Sequence, residues 1–206
     1  MSAHHGHDHS HAVVTESNAK KLTFALILTS TFLVIEVIAG FITQSLALLS
    51  DAAHMFTDAA ALAIALVAIK VGKFPADSKR TFGYQRFEIL AALFNALMLF
   101  VVAIYILYEA YQRFSQPPDI QSGGMMIVAT IGLVINLISM KILFSSSQES
   151  LNIKGAYLEV LSDAVGSVGV IIGAVIIYFT GWMWVDTLIA VCIGFWVLPR
   201  TWILLK

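Results

Sequence analysis

Residues 22–42 read LTFALILTSTFLVIEVIAGFI, with Glu36 as the one ionisable group in the stretch. Crossing the hydrocarbon of a bilayer as a helix takes roughly 20 apolar residues. This run has that length and is apolar on every face, so it reads as a membrane span. Five more follow, giving Leu22–Ile42, Ser45–Val71, Ile89–Tyr111, Gly123–Phe144, Gly155–Phe179 and Val185–Leu205. Pro75 and a cluster of charges part the second from the third, and Pro117-Pro118 stops the third. A Ser- and Glu-containing stretch after Phe144 parts the fourth from the fifth. Thr180-Gly181-Trp182 is so short that the fifth and sixth form a hairpin. Because lipid cannot hydrogen-bond a bare backbone, runs this long are helices. The fold class expected is an all-α membrane protein, a bundle of six transmembrane helices over residues 22–206, preceded by a polar tail over residues 1–21.

Composition agrees. Of 206 residues 59% are apolar and 12% charged, about half the charge of a soluble domain. A net charge of −1 excludes the basic surface that nucleic-acid binding calls for. The lone Cys192 forms no intrachain disulfide and says nothing about redox compartment. The polar start of the chain and the length of the first run do not fit a cleavable signal peptide, so that run is expected to stay as an anchor. In this reading Lys20, Lys21, Lys70, Lys73, Lys79, Arg80, Arg86, Lys141, Lys154, Arg200 and Lys206 fall on one side, and Arg113 alone on the other. Basic residues mark the cytoplasmic face. Both termini are therefore expected there, in the cytoplasmic membrane. Tyr108, Tyr111, Trp182 and Trp184 fall at the outer interface and Trp202 at the inner, where aromatic side chains concentrate.

Ionisable groups inside a bilayer are costly and usually functional. The second run contains Asp51-Ala-Ala-His54-Met-Phe-Thr-Asp58 and the fifth Glu159-Val-Leu-Ser-Asp163. Spacing of i, i+4 stacks His54 over Asp58 and Glu159 over Asp163, each pair on one helix face. If the two helices meet, four nitrogen and oxygen ligands converge, the donor set Zn²⁺ or a similar divalent ion takes. The second run heads inward and the fifth outward, so Asp58 and Glu159 form the inner layer of such a site and His54 and Asp163 the outer. The bland alternative is structural pairing, but three acids and one histidine do not neutralise one another and no Lys or Arg lies at their depth. Asp51, one turn outward, and Glu36 are read either as groups along the ion path, a relay, or as acceptors for a neighbouring helix. Asn136 and Asn95 are read as interhelical hydrogen-bonding groups, and the stripes Gly166, Gly169, Gly173 and Ala47, Ala61, Ala65 as close-packing surfaces. The tail His4, His5, His7, His9 and His11 has a metal-collecting composition, accessory to the buried site.

These residues resemble the cation diffusion facilitator family, and within it the bacterial cobalt–zinc–cadmium resistance exporters. The resemblance lies in Ser45-Leu-Ala-Leu-Leu-Ser-Asp51-Ala-Ala-His54-Met-Phe-Thr-Asp58, in Arg80-Thr-Phe-Gly83-Tyr-Gln-Arg86-Phe-Glu88 and in Gly155-Ala-Tyr-Leu-Glu159-Val-Leu-Ser-Asp163, and runs over nearly the whole chain. It implies a homodimeric antiporter exchanging a cytoplasmic zinc, cadmium or cobalt ion for an outside proton, with no organic cofactor. Zinc-selective members carry His-x-x-x-Asp in the fifth helix. Glu159 stands in that histidine's place, a harder oxygen donor that puts ion preference in question. The family also carries a cytoplasmic domain after its sixth helix, and residues 1–206 contain none. No Gly-x-x-x-x-Gly-Lys-[Ser/Thr] phosphate loop occurs, so a proton gradient is the expected energy source. An intramembrane metalloenzyme lacks supporting motifs such as His-Glu-x-x-His. A passive channel fits poorly with a chelating site that holds its ion.

Overall fold

The computed structural model describes residues 16–71, 85–145, 147 and 151–204. They form six helices: α1 (Glu16–Thr43), α2 (Leu46–Val71), α3 (Gln85–Ser115), α4 (Ser122–Phe144), α5 (Leu151–Thr180) and α6 (Trp184–Leu204). No strand occurs among the described residues. Each expected run has its helix, and α1, α3 and α5 begin ahead of their apolar stretches. α3 ends at Ser115, just before Pro117 and Pro118, whose missing N–H groups cannot continue the ladder. The hairpin turn between α5 and α6 passes through Gly181 at φ +70°, a conformation a glycine adopts without a Cβ clash. Among the described residues four stretches are long and apolar enough to cross a bilayer: Lys20–Thr43, Leu97–Ser115, Ser122–Phe144 and Ile153–Thr180. Trp184–Trp196 is a shorter apolar one. The chain is a multi-pass membrane protein. The His-rich tail and the Arg80–Glu88 motif's loop lie outside the described residues, as do the side chains of Ala61, Ala65, Asn95 and Trp202.

Large apolar side chains point outward. Phe24, Ile38 and Phe41 of α1, Ile127, Val134 and Leu137 of α4, and Val165 and Ile172 of α5 are all exposed, the surface that lipid tails cover. The inward face of α4 is Met125, Ala129, Gly132, Asn136, Ser139 and Leu143, alternating steps of four and three. α5 answers with Ile153, Ala156, Val160, Asp163, Ser167, Val170, Ala174 and Ile177. This 3-4 spacing, with glycine, alanine or serine at six of the fourteen positions, is how membrane helices approach without a hydrophobic drive. The Phe32 ring of α1 fills the space over Gly132, and Ile189 of α6 fills that over Gly173. Gly169 meets nothing within 4 Å of where a Cβ would stand, so the α5 glycine stripe serves packing at two positions of three.

At the aromatic-rich end the α1–α2 corner is held from two sides. Gln44 adopts φ +60°, a left-handed conformation that L residues rarely take. Arg113 at the end of α3 donates from Nη1 to the Gln44 carbonyl at 2.6 Å and from Nε to Glu109 at 3.0 Å. Asp186, in the first turn of α6, accepts from Ser45 Oγ at 2.6 Å and from the Leu46 and Ala47 amides at 2.6 and 3.2 Å. A helix leaves its first four N–H groups unpaired. Here the carboxylate of another helix satisfies two of them, and Ser45 Oγ takes a third, that of Leu48, at 3.2 Å. Arg113 Nη1 lies 3.7 Å from Asp186 Oδ2. α2 is thereby fastened to α3 and α6 at one end.

Two outcomes are expected. Asp186→Ala leaves Ser45 Oγ and the Leu46 and Ala47 amides without their buried acceptor and removes the carboxylate 3.7 Å from Arg113 Nη1. It should lower stability by on the order of 3 kcal/mol, read as a fall in the thermal midpoint of the detergent-purified protein, with Asp186→Asn milder. For topology, Trp182→Cys should react with an impermeant maleimide added outside whole cells and Ser145→Cys should not, both in a Cys192→Ser background. The opposite pattern would invert the orientation.

Candidate metal centre

His54 sits nine residues beyond Ser45, about 13 Å along α2 from its tied end at the helical rise per residue. It exposes 5% of its surface, Asp58 9% and Asp163 of α5 2%. His54 Nε2 lies 3.6 Å from Asp58 Oδ2 and 3.6 Å from Asp163 Oδ1. One ligand atom from each of the three falls within 4.8 Å of the others. Ligands about 2.1 Å from one ion at tetrahedral angles stand about 3.4 Å apart, so these separations are close to the edges of a coordination tetrahedron. They are longer than a hydrogen bond. The histidine is central, with one carboxylate from its own helix and one from the facing helix. That sharing across two helices follows from the i, i+4 stacking on α2 and from the packing of α5 against it.

Glu159 is partly buried one turn before Asp163 on α5, and it is not one of the three whose ligand atoms converge. Glu36 of α1 and Asp51 of α2 are both 1% exposed, and their carboxyl groups are neighbours. Asp51 Oδ1 stands 2.8 Å from the place a Cβ would occupy on Gly166. The absent side chain at Gly166 is what lets α5 approach α2 there, one turn from Asp163. The Thr57 hydroxyl donates to the His54 carbonyl at 2.7 Å, a local bond that competes with the helix ladder beside the site.

The tie from Asp186 and Arg113 to the start of α2 is the part of the site's support that spacing along the chain does not reveal. Asp186 is an acid in the opening turn of an apolar helix. That signal marks it as unusual, but only the fold supplies its partners 139 to 141 positions away.

Residues 22–206 match the family described as the cation efflux transmembrane domain. The chain is 66% identical over 206 residues, all of its length, to the metal cation efflux system protein CzcD of Cupriavidus metallidurans. It is 45% identical over 195 residues, 94% of its length, to a cadmium, cobalt and zinc/H(+)-K(+) antiporter of Bacillus subtilis. To the zinc transporter ZitB of Escherichia coli it is 42% identical over 207 aligned positions, 100% of its length. The chain spans 64%, 61% and 66% of the lengths of these three relatives.

Replacing a convergent ligand should abolish binding without disturbing insertion. Asp163→Ala and Asp58→Ala are expected to accumulate in membranes at normal levels and to show no zinc heat in titration calorimetry. Wild-type affinity in either variant would remove that residue from the centre.

Proposed function

Because the chain belongs to the cation efflux family, we propose that it exports divalent metal cations, zinc, cadmium or cobalt, from the cytoplasm in exchange for protons. The observation that carries this is the buried convergence of His54, Asp58 and Asp163 between α2 and α5. Glu159 completes the site as its fourth ligand, one turn toward the cytoplasmic end of α5. Three carboxylates and a neutral imidazole carry −3, and a divalent ion brings the site to −1. A carboxylate oxygen that holds a proton cannot at the same time hold the metal through that lone pair. Proton and metal therefore compete for one set of atoms, and a site that opens alternately to either side needs nothing more for exchange.

His54 and Asp58 ride on one helix and Asp163 on another, so relative movement of α2 and α5 opens or closes the ligand set around its cargo. Asp51, one turn beyond the centre on α2, and its neighbour Glu36 on α1 form a relay along the path on its outer side. The histidine tail, His4 to His11, collects metal at the cytoplasmic mouth as an accessory. The protein works as a homodimer in the cytoplasmic membrane, six spans per protomer, both termini inside. The relatives support the cargo and the counter-ion: one is a zinc transporter and one a cadmium, cobalt and zinc/H(+)-K(+) antiporter.

The test is competitive uptake of zinc, cobalt, cadmium and manganese into everted vesicles under an imposed pH gradient, with wild type, Glu159→His and Glu159→Ala. Wild type should accumulate metal only while the gradient stands. Glu159→His keeps a donor at the same position and exchanges an anionic oxygen for a neutral nitrogen, so uptake should persist and shift toward zinc and cobalt over manganese. Glu159→Ala should weaken uptake of every ion. Metal accumulation indifferent to the gradient would refute proton exchange, and wild-type zinc uptake by Glu159→Ala would take Glu159 out of the site.

A further inference from the structure

Asn136, on the inward face of α4, is completely buried, yet neither Oδ1 nor Nδ2 has a hydrogen-bond partner among the described residues. A buried primary amide offers two donors and two acceptor lone pairs, and native proteins rarely leave such a group unmatched. What stands opposite follows from the register of the α4–α5 seam. Met125 and Ala129 share one cluster with Val170 and Ala174. The Ser167 hydroxyl lies 3.5 Å from where a Cβ would stand on Gly132. Leu143 shares a second cluster with Ala156 and Val160, and the rings of Phe144 and Tyr157 are 5.9 Å apart. One antiparallel register accounts for all of these: Met125 faces Ala174, Ala129 faces Val170, Gly132 faces Ser167 and Leu143 faces Ala156. Four residues along from Gly132 on one helix and four back from Ser167 on the other, Asn136 faces Asp163. Both are buried, and both lie on the stripe their helix presents to the seam.

We propose that Asn136 is a positioning residue of the metal centre, donating from its amide to the Asp163 carboxylate so that the other oxygen of that carboxylate points at the ion shared with His54 and Asp58. A carboxylate that ligates a metal has a second oxygen that must itself be held, and the groups that hold it tune affinity strongly. α2 supplies two of the ligands and α5 the third. Asn136 gives α4, the helix α5 packs along, a direct hold on that third ligand. An amide does this without adding charge to a site that already carries three acids. The proposal rests on the reading of His54, Asp58 and Asp163 as a metal centre.

Function and stability should respond in opposite directions to Asn136→Leu, and this separates positioning from packing. The thermal midpoint is read on the metal-free protein, where the amide has no hydrogen-bond partner among the described residues and exchanging it for an apolar group of similar size is neutral or stabilising. Losing the support of a ligating carboxylate weakens metal binding by about 10–100-fold. The experiment uses the full chain in nanodiscs, with zinc titration by calorimetry, the visible absorption of the Co²⁺-loaded protein as a record of ligand geometry, and the thermal midpoint. Expected for Asn136→Leu are a thermal midpoint at or above wild type, zinc affinity lower by that factor and an altered Co²⁺ spectrum. Asn136→Ala should repeat the loss of affinity and answers the question if the leucine variant does not insert. Unchanged affinity and spectrum overturn the proposal, as does a loss of affinity that merely follows a loss of stability. Wild type that binds no zinc, or Asp163→Ala that binds it normally, would instead overturn the metal centre and the proposal with it, a result distinct from failure at Asn136 alone.

Discussion

Hydrocarbon offers no hydrogen bonds, and everything in this chain follows from having to satisfy polar groups without water. Helices answer for the backbone along their length. Their ends and polar side chains need answers of their own, and in this molecule those answers come from neighbouring helices. The start of α2 borrows the carboxylate of Asp186 from α6, and the carbonyl of Gln44 borrows the guanidinium of Arg113 from α3. Those loans fix where α2 begins, and with it the depth at which His54 and Asp58 stand.

The same constraint sorts the side chains. In water the apolar surface would turn inward. Here many bulky apolar groups turn out toward lipid, and glycine, alanine, serine, asparagine and the acids share the interior with apolar side chains such as Phe32, Met125, Leu143 and Ile153. Small residues let helices approach, and Gly166 brings α5 so near α2 that Asp51 fills the space its side chain would have taken. Near that close approach the three convergent groups, His54, Asp58 and Asp163, stand on two helices that need not move together. That is the arrangement the proposed exchange requires, in which the ion is gripped only while both helices stand at the right separation. The buried acids that make the bundle costly to assemble are thus the groups proposed to respond to metal and to protons.

Much of this was legible along the chain. Run lengths determined six helices, and the two i, i+4 pairs brought out His54, Asp58, Glu159 and Asp163, because helical periodicity is a local property that spacing reveals. The convergence of three of these was foreseeable only on the condition that the second and fifth helices touch. What spacing could not assign was the partner of each remaining polar group. Arg113 read as an orientation charge, and it ties a strained corner. Asn136 read as a hydrogen-bonding residue between helices, and its amide has no hydrogen-bond partner among the described residues, while the α4–α5 register sets it opposite Asp163.

The sequence by itself determined that the chain lives in a bilayer, where its helices run, and which side chains are too polar to be there without a reason. Only the tertiary structure decided which helices are neighbours, in what register α4 lies along α5, and which end of α2 is tied. Periodicity is set by covalent geometry within one helix. Neighbourhood is set by how small and large side chains interlock between helices far apart in the chain, and no single run of residues contains that information.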